Sequence, residues 1–324
     1  MTRRKWLLFL PALLGGLLLC GAAREIWISG KRYYPAADLA MRYGMSCNQT
    51  QFQLRLQNRF NRIDIRPDKR QFSINGVNYH LCFAPARRGK FYLSALDRDK
   101  LLEPILKPAI VPRHRVATIV LDPGHGGKDE GARGIRYKEK DITLQVARKV
   151  RDLLRRNGYT VHMTRDRDIS LTLPQRTQIA RQKGADLFLS IHINAAETRS
   201  VSGIECFAMT PSGASSTNSA KPESHWYKGN NFDSNNIALT NQIHRHLLAQ
   251  SRGSDRGVKW ARFQVLREVS CPATLLELGF ISNRAEELKL GSPAYQNKLA
   301  QGIANGVINY HRSIVKNPYR SNRK

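Results

Sequence analysis

Four side chains of this 324-residue sequence could together bind a metal ion and move a proton: His125, Glu139, His192 and Glu277. His125 follows an apolar, β-branched run and is flanked by glycines, which allow close approach of backbone or ligand. His192 and Glu277 lie inside two other apolar runs, where a charge is costly unless a metal or a charged partner meets it. Glu139 lies in a charged segment at the predicted start of a helix.

Two histidines and one carboxylate are a common ligand set of catalytic zinc sites, in which water holds the fourth position. A second carboxylate is then needed to take a proton from this water and pass it to the leaving group. The sequence therefore predicts one Zn²⁺ per chain on His125, Glu139 and His192, with Glu277 as catalytic acid and base. Taken singly, the four residues also fit structural roles: a turn cap, a helix-start charge, a core histidine and a buried salt bridge.

The elements that must position these residues begin near residue 116, where predicted strands alternate with predicted helices. The strands are predicted at Val116–Leu121, Tyr159–Met163, Asp186–Ile193, Gly203–Met209, Phe263–Leu266 and Ala273–Leu278, and the helices at Glu139–Arg156, Pro174–Lys183, Ile237–Leu248 and Gln296–Ile314. This order predicts an α/β fold with a twisted, mostly parallel sheet and helices on both faces. Active sites of such sheets lie beyond the carboxyl ends of the strands, where these four residues occur or closely follow.

Six segments around these residues resemble the motifs of one enzyme family. They are Leu121–Gly127, Lys138–Asp141, Ser190–Asn194, Asp255–Lys259, Phe263–Arg267 and Leu276–Asn283. In this order they resemble the zinc-dependent N-acetylmuramoyl-L-alanine amidases of the cell-wall amidase type 3 family, over well more than half of the chain. The resemblance implies a phosphorylase/hydrolase-like fold with His125, Glu139 and His192 on zinc and Glu277 as the catalytic glutamate. Thr143, where the family often has Asn, is a departure that leaves the ligands intact.

The resemblance also implies a substrate and a reaction. We expect hydrolysis of the amide bond between N-acetylmuramic acid and L-alanine of peptidoglycan, in wall remodelling or daughter-cell separation. Asn194 and Arg267 are candidate substrate contacts near the rim of the site. Two alternatives stay open: a zinc peptidase acting on the stem peptides of the wall, and a catalytically inactive wall-binding regulator.

The segment Thr210–Asn236 is rich in Ser, Gly and Asn and is predicted to be a long surface loop. Some members of the family carry an inserted helix here that covers the zinc until a partner displaces it. This segment lacks apolar periodicity after Met209, so we expect a substrate-facing loop without such a plug. It does contain Glu223 and His225, whose side chains are of types that can bind the metal.

The N-terminus has the layout of a secretory signal, predicted at residues 1–23, with three basic residues, an apolar run and small residues where a signal peptidase cuts. The apolar run, Trp6–Leu19, is short for a transmembrane helix, which needs roughly 20 residues. We therefore expect an exported protein of the periplasm or cell envelope, which contacts the membrane only if the signal stays uncleaved. Lipidation at Cys20 is disfavoured because large leucines precede it.

Residues 24–107 are predicted to form a small α+β domain of short strands and turns, with a hairpin signal at Asn75-Gly76. The pattern resembles the N-terminal-like domain of copper amine oxidases, without copper ligands, and implies a binding or spacer role. Cys47 and Cys82 in this region are either a disulfide or two free thiols. A linker at 108–115, the catalytic domain at 116–315 and a basic tail at 316–324 complete the predicted organisation.

The formal net charge of +28 favours an anionic partner. The sequence has neither zinc-finger spacing nor a basic helix interleaved with aromatic residues, and the secretory signal also argues against nucleic acid. We therefore expect peptidoglycan as the partner. An activator or another envelope protein stays open.

Overall fold

The structure is a computed structural model that describes residues 25–67, 69–219 and 221–315. The predicted signal at 1–23 and the basic tail at 316–324 lie outside the described residues. In the part of the chain that the structure describes, no helix is both long and apolar enough to span a bilayer.

The first part of the chain, to about residue 110, consists mainly of short strands. The strands are β1 (Ile26–Ile28), β2 (Lys31–Pro35), β3 (Ser46–Gln49), β4 (Leu54–Gln57), β5 (Arg62–Ile65), β6 (Gln71–Ile74), β7 (Val77–His80), β8 (Ala86–Arg88) and β9 (Lys90–Ser94). The helices are α1 (Ala36–Arg42), α2 (Ala95–Asp97) and α3 (Glu103–Leu106), with a π-helical turn at Arg98–Leu102 and a 3₁₀ turn at Pro108–Ile110.

The second part of the chain alternates longer strands and helices. The strands are β10 (Thr118–Pro123), β11 (Thr160–Met163), β12 (Leu187–Asn194), β13 (Ile204–Met209), β14 (Asp255–Ala261) and β15 (Ala273–Phe280). The helices are α4 (Glu139–Arg156), α5 (Leu173–Gln182), α6 (Asp233–Ser251), α7 (Gln264–Glu268), α8 (Arg284–Leu290) and α9 (Pro293–Val315), with a 3₁₀ turn at Lys228–Phe232.

These six longer strands form a sheet in the order β11-β10-β12-β15-β13-β14. All neighbouring pairs are parallel except β13 and β15. The apolar stripes of α4, α6 and α9 pack on one face, while α5 and α7 cover the other through Ala180, Val265 and Leu266. The predicted α/β fold, a mostly parallel sheet with helices on both faces, is confirmed.

One predicted strand is wrong. Phe263–Leu266 is not a strand: its last three residues belong to helix α7, and the neighbouring strand is β14 at Asp255–Ala261. A short apolar run such as Val265-Leu266 cannot be assigned to helix or strand by periodicity alone, and here it packs onto the sheet from α7. β14 was not predicted because Gly257 and Lys259 interrupt its apolar pattern. Lys259 can be buried there because it forms an ion pair with Glu205.

The small N-terminal domain is joined to the catalytic sheet. Strands β3 to β7 form an antiparallel meander, and β7 pairs with β14 at Tyr79 and Val258, so that the main sheet has eleven strands. The strands β1, β2, β9 and β8 form a separate four-stranded sheet. Trp260 of β14 is buried in the apolar core of the small domain and donates a hydrogen bond to the carbonyl oxygen of His80 at 2.6 Å. The two parts therefore share both a sheet and a core.

The structure describes the two cysteines of the small domain and the predicted linker. Cys47 and Cys82 are free thiols in the structure. In the segment predicted as a linker, Val111 is buried, and Pro112 accepts a hydrogen bond from Asn235 at 2.8 Å. This segment therefore packs against the catalytic domain.

Candidate metal centre and active site

His125 is held in a strained backbone conformation just beyond the carboxyl end of β10. Its φ is +59°, a left-handed value that non-glycine residues seldom adopt. Buried Arg165 donates to the carbonyl oxygens of Pro123 and Gly124 at 3.0 and 2.7 Å, and Arg176 donates to those of Pro123 and His125, each at 2.8 Å. These two guanidinium groups bind the carbonyl oxygens of residues 123–125 and so hold the His125 imidazole at the carboxyl end of the sheet.

Glu139 is the first residue of α4 and its side chain reaches back between the two histidines. One carboxylate oxygen, Oε1, lies 2.9 Å from His192 Nδ1, and the other, Oε2, lies 3.2 Å from His125 Nε2. The amides of Ile193 and Ala132 donate to the same two oxygens at 2.9 and 2.7 Å. Burial alone would raise the pKa of this carboxyl, but its bonds to both histidines hold the pKa well below the usual range.

Glycines make room for the imidazoles. A Cβ atom on Gly124 would lie 2.3 Å from His192 Cε1, and one on Gly131 would lie 2.5 Å from His125 Cδ2. The two rings meet edge-on with centroids 5.1 Å apart. The donor atoms of His125, Glu139 and His192 all lie within 4.8 Å of one another, so the structure brings the three predicted ligands together in a group that could hold a metal ion.

Glu277 lies on β15 directly beside His192, its register partner on β12. Its Oε2 atom is buried and lacks a hydrogen-bond partner among the described residues. Burial, and then the negative charges of Glu139 and Glu205, raise the pKa of the Glu277 carboxyl well above its ordinary value. Glu205 is the register partner of Glu277 on β13 and forms ion pairs with Lys259 and Arg256 at 2.6 and 2.8 Å. The fourth predicted residue therefore stands next to the other three with one oxygen unpaired.

A cleft of about 430 Å³ opens over this group. Its lining includes the polar residues Asp122, His125, Asp129, Arg176, His192 and Glu277 and the apolar residues Leu173, Phe263 and Val265. The mixture of apolar walls and a few convergent polar groups is typical of small-ligand and active sites.

Residues 119–309 match the protein family described as N-acetylmuramoyl-L-alanine amidase. The chain belongs to this family. The amidase AmiA of Escherichia coli (strain K12) is 34% identical over an alignment of 244 residues, and the match covers 67% of this chain and 84% of that protein.

Solved amidase structures have the same fold over the matched region. The structure of AmiC2 of Nostoc punctiforme is 32% identical with a TM-score of 0.51, and the match covers 60% of this chain and 96% of that one. The CwlD amidase from Clostridioides difficile, solved in complex with the GerS lipoprotein, is 29% identical with a TM-score of 0.50, covering 60% of this chain and 98% of that one. The small N-terminal domain lies before residue 119, where the family match begins.

The two predicted substrate contacts of this amidase do not line the cleft. The Asn194 side chain donates to Glu205 at 3.0 Å, and Ala195 donates to its Oδ1 at 2.7 Å. The guanidinium of Arg267 lies 5.1 Å from the centre of the Tyr227 ring. Neither side chain lines the cleft, whereas Phe263 and Arg176 do. The Arg267 Nε atom is buried without a hydrogen-bond partner among the described residues.

The loop after Met209 does not place its acidic or imidazole side chains on the metal group. Glu223 accepts a hydrogen bond from Tyr227 at 2.6 Å and lies 3.6 Å from Arg262, and the His225 ring packs edge-on against Tyr227. Arg262 also donates to three backbone carbonyls of the loop, those of Pro211, Ala214 and Glu223. The loop is therefore folded on itself around Arg262, and the metal group of the described residues comprises His125, Glu139 and His192.

Several residues that contact the site residues were not predicted from the sequence. They are Asp122, Asp129, Arg165, Arg176 and Glu205. Asp122 is part of the motif before His125, and Asp129 follows four residues after it in a glycine-rich loop, so both carried a weak local signal. Glu205 carried the same signal as Glu277, a carboxylate inside the predicted apolar strand Gly203–Met209. The two arginines had none, because they meet the site only through tertiary contacts.

We expect Asp129→Asn to lower zinc affinity about 10- to 100-fold, the effect typical of removing a hydrogen-bond partner of a ligating histidine. The ionised Asp129 Oδ2 can only accept, so at 2.9 Å it keeps the proton of His125 on Nδ1 and leaves Nε2 free for a metal. Competition with a chelating zinc indicator measures the change. Asp152→Asn, which alters an equally charged surface residue of α4, should bind zinc like the wild type, and equal affinities for both variants would contradict the role of Asp129.

Proposed function

We propose that this chain is an exported zinc hydrolase that cleaves the amide bond between N-acetylmuramic acid and L-alanine of peptidoglycan. The observation that carries the proposal is the convergence of His125, Glu139 and His192 around one point with Glu277 beside them, in a chain of the amidase family. The donor set suits zinc, since imidazole nitrogen and carboxylate oxygen are its usual ligands and an accessible cleft leaves room for water.

His125, Glu139 and His192 would hold the ion, one per chain. When bound, zinc polarises the scissile carbonyl and lowers the pKa of its water toward ~7. Glu139 is kept ionised by its hydrogen bonds, and the amides of Ala132 and Ile193 orient both of its oxygens before any ion arrives. Preorganisation of this kind limits the reorganisation that binding requires.

Glu277 would serve as the acid and base of the reaction. Its unpaired Oε2 would accept a proton from the attacking water and deliver it to the nitrogen of the departing alanine. The position beside His192 in the cleft supports this role, because a proton carrier must lie within hydrogen-bond reach of both groups. Asn194 and Arg267 would support substrate binding only indirectly, through Glu205 and Tyr227.

Export and wall association complete the proposal. The N-terminal signal pattern supports passage to the periplasm or cell envelope, and the net charge of +28 supports retention on an anionic wall. The small domain would act as a binding or spacer module, whose likeness to the copper amine oxidase N-terminal region rests on sequence pattern. A relative solved with a lipoprotein supports the further idea that an envelope protein modulates this enzyme.

Digestion of purified peptidoglycan by the zinc-loaded enzyme tests the function. We expect peptide-free glycan strands and intact stem peptides with a new amino-terminal alanine, detected by mass spectrometry. Shortened peptides that stay on the glycan would instead indicate a zinc peptidase, and intact peptidoglycan despite binding would indicate an inactive wall-binding regulator. Binding should weaken as salt rises, because exposed charges are screened within about 10 Å at 0.1 M ionic strength.

A further inference from the structure

A single row of register partners crosses the eleven-stranded sheet from the active site to the small domain. The row runs His192, Glu277, Glu205, Gly257, Asn78, Ser73, Asp64, Arg55 and Asn48, with Gly257 beside Asn78 because their neighbours Val258 and Tyr79 pair in parallel strands. Directly opposed residues of neighbouring strands point to the same face of a sheet. The face of the sheet that carries the catalytic residues therefore continues onto strands β7 to β3, across the buried residues Glu205 and Gly257.

In the small domain this face is open. Along β4 to β7 the alternate residues Leu54, Ile63, Phe72 and Tyr79 are buried in the core on the opposite face. Their neighbours on the catalytic side are half-buried or exposed and polar, and they line a shallow depression of about 480 Å³. Residues of this depression include Gln53, Arg62, Asp64, Arg66, Lys69 and Ser73. We call this surface, formed by the outward side chains of β4 to β7 together with Arg66 and Lys69, the meander face.

The meander face is positively charged. Asp64 forms ion pairs with both Arg55 and Arg62, at 2.7 and 2.6 Å. Arg66 and Lys69 are exposed, and their side chains make no ion pair or hydrogen bond with any other residue that the structure describes. An unpaired cation costs little in water and is available for an anionic ligand.

The charges between the active-site cleft and the meander face do not repel an anionic polymer. Glu205 is buried and pairs with Lys259 and Arg256, which flank Gly257 on β14, so these three residues together carry one excess positive charge. From Glu277 on β15 to Asp64 on β5 there are five strand spacings, or about 24 Å at ~4.8 Å each. A polymer longer than this distance and held at the cleft can therefore reach the meander face.

We propose that the meander face binds a second stretch of the same peptidoglycan strand whose amide bond lies in the active site, through the carboxylates of its peptides and the hydroxyl and amide groups of its sugars. Arg66 and Lys69 bind the carboxylates, while the Ser73 hydroxyl offers hydrogen bonds of the kind that sugars and amides accept and donate. The amides of Gln53 and Asn78 each donate one bond within the protein, to Asp64 and Asp255, and offer their remaining hydrogen-bonding capacity. This inference rests on the proposed function for the identity of the polymer.

The double variant Arg66→Glu/Lys69→Glu of the full-length protein tests the inference. We expect its affinity for purified peptidoglycan sacculi in a sedimentation assay to fall about tenfold at low salt, since exposed charges contribute up to ~1 kcal/mol each. KM for sacculi should rise by a similar factor. Turnover of a short soluble muropeptide with one scissile amide should stay at the wild-type rate, because this substrate is too short to reach β5.

Lys298→Glu/Arg312→Glu is the matched control, since it makes the same change of charge at exposed positions of α9 on the other face of the sheet. Wild-type affinity of the Arg66/Lys69 variant, or an equal loss in the α9 control, would overturn the inference. So would binding of the wild type to phosphatidylglycerol vesicles without binding to sacculi, which would make the partner a membrane. Binding is measured apart from cleavage: if the wild type cuts neither substrate but its retention still depends on Arg66 and Lys69, the proposed function fails and this inference stands.

Discussion

We expect Glu277→Gln to abolish nearly all hydrolysis of peptidoglycan while leaving zinc binding and the fold intact. We expect the rate to fall about 10²- to 10⁴-fold, the range that a positioned acid or base contributes. Glutamine has the same shape but cannot exchange a proton at Oε2, the unpaired atom beside His192. The measurements are the rate at which amino-terminal alanine appears, the zinc content and the melting temperature.

The direction of the change in stability caused by Glu277→Gln can be predicted. The folded state raises the pKa of the Glu277 carboxyl, so its charged form is disfavoured on folding, and this cost is greatest above the folded pKa. A neutral glutamine removes repulsion from Glu139 and Glu205, and the zinc-free variant should melt no lower than the zinc-free wild type. Glu268→Gln, at an exposed position of α7, serves as the control and should keep full activity. A Glu277→Gln enzyme with more than a tenth of the wild-type rate would refute the assigned role.

Glu139→Ala should lose both the metal and the activity. The carboxylate joins His125 to His192 and is held by two backbone amides, so its removal leaves two imidazoles and no anionic ligand. We expect zinc content to drop from one per chain to near zero after dialysis. Since metal catalysis supplies several kcal/mol of transition-state stabilisation, the rate should fall by about 10³-fold or more.

Glu223→Ala is the informative comparison for this second prediction. Glu223 lies in the loop that the sequence marked as a possible source of metal ligands, but its contacts are with Tyr227 and Arg262. This variant should retain one zinc per chain and most of the activity. Zinc loss in Glu223→Ala together with retention in Glu139→Ala would show that the ligand set has been assigned to the wrong glutamate.

The candidate residues that the structure brings together could be picked out because several of them left a local mark in the sequence. A charged residue in the middle of an apolar strand, such as Glu277, costs free energy unless its surroundings compensate, so its presence indicates a special environment. Helix α4 was predicted with its observed bounds because Ile142, Val146 and Val150 repeat at helical spacing before Asn157-Gly158. The α/β fold followed from the same kind of local alternation.

Only the tertiary structure decided which strands are neighbours. The antiparallel pairing of β13 with β15 brings Glu205 opposite Glu277, and the pairing of β7 with β14 joins the small domain to the catalytic sheet. It also decided that Val265-Leu266 is helical and that Arg165 and Arg176 hold the turn before His125. Periodicity reports which face of an element is buried, whereas pairing between distant strands and contacts from distant side chains depend on how the whole chain packs. The sequence therefore determined the chemistry of the site, and the folded sheet determined what surrounds it and how far its surface extends.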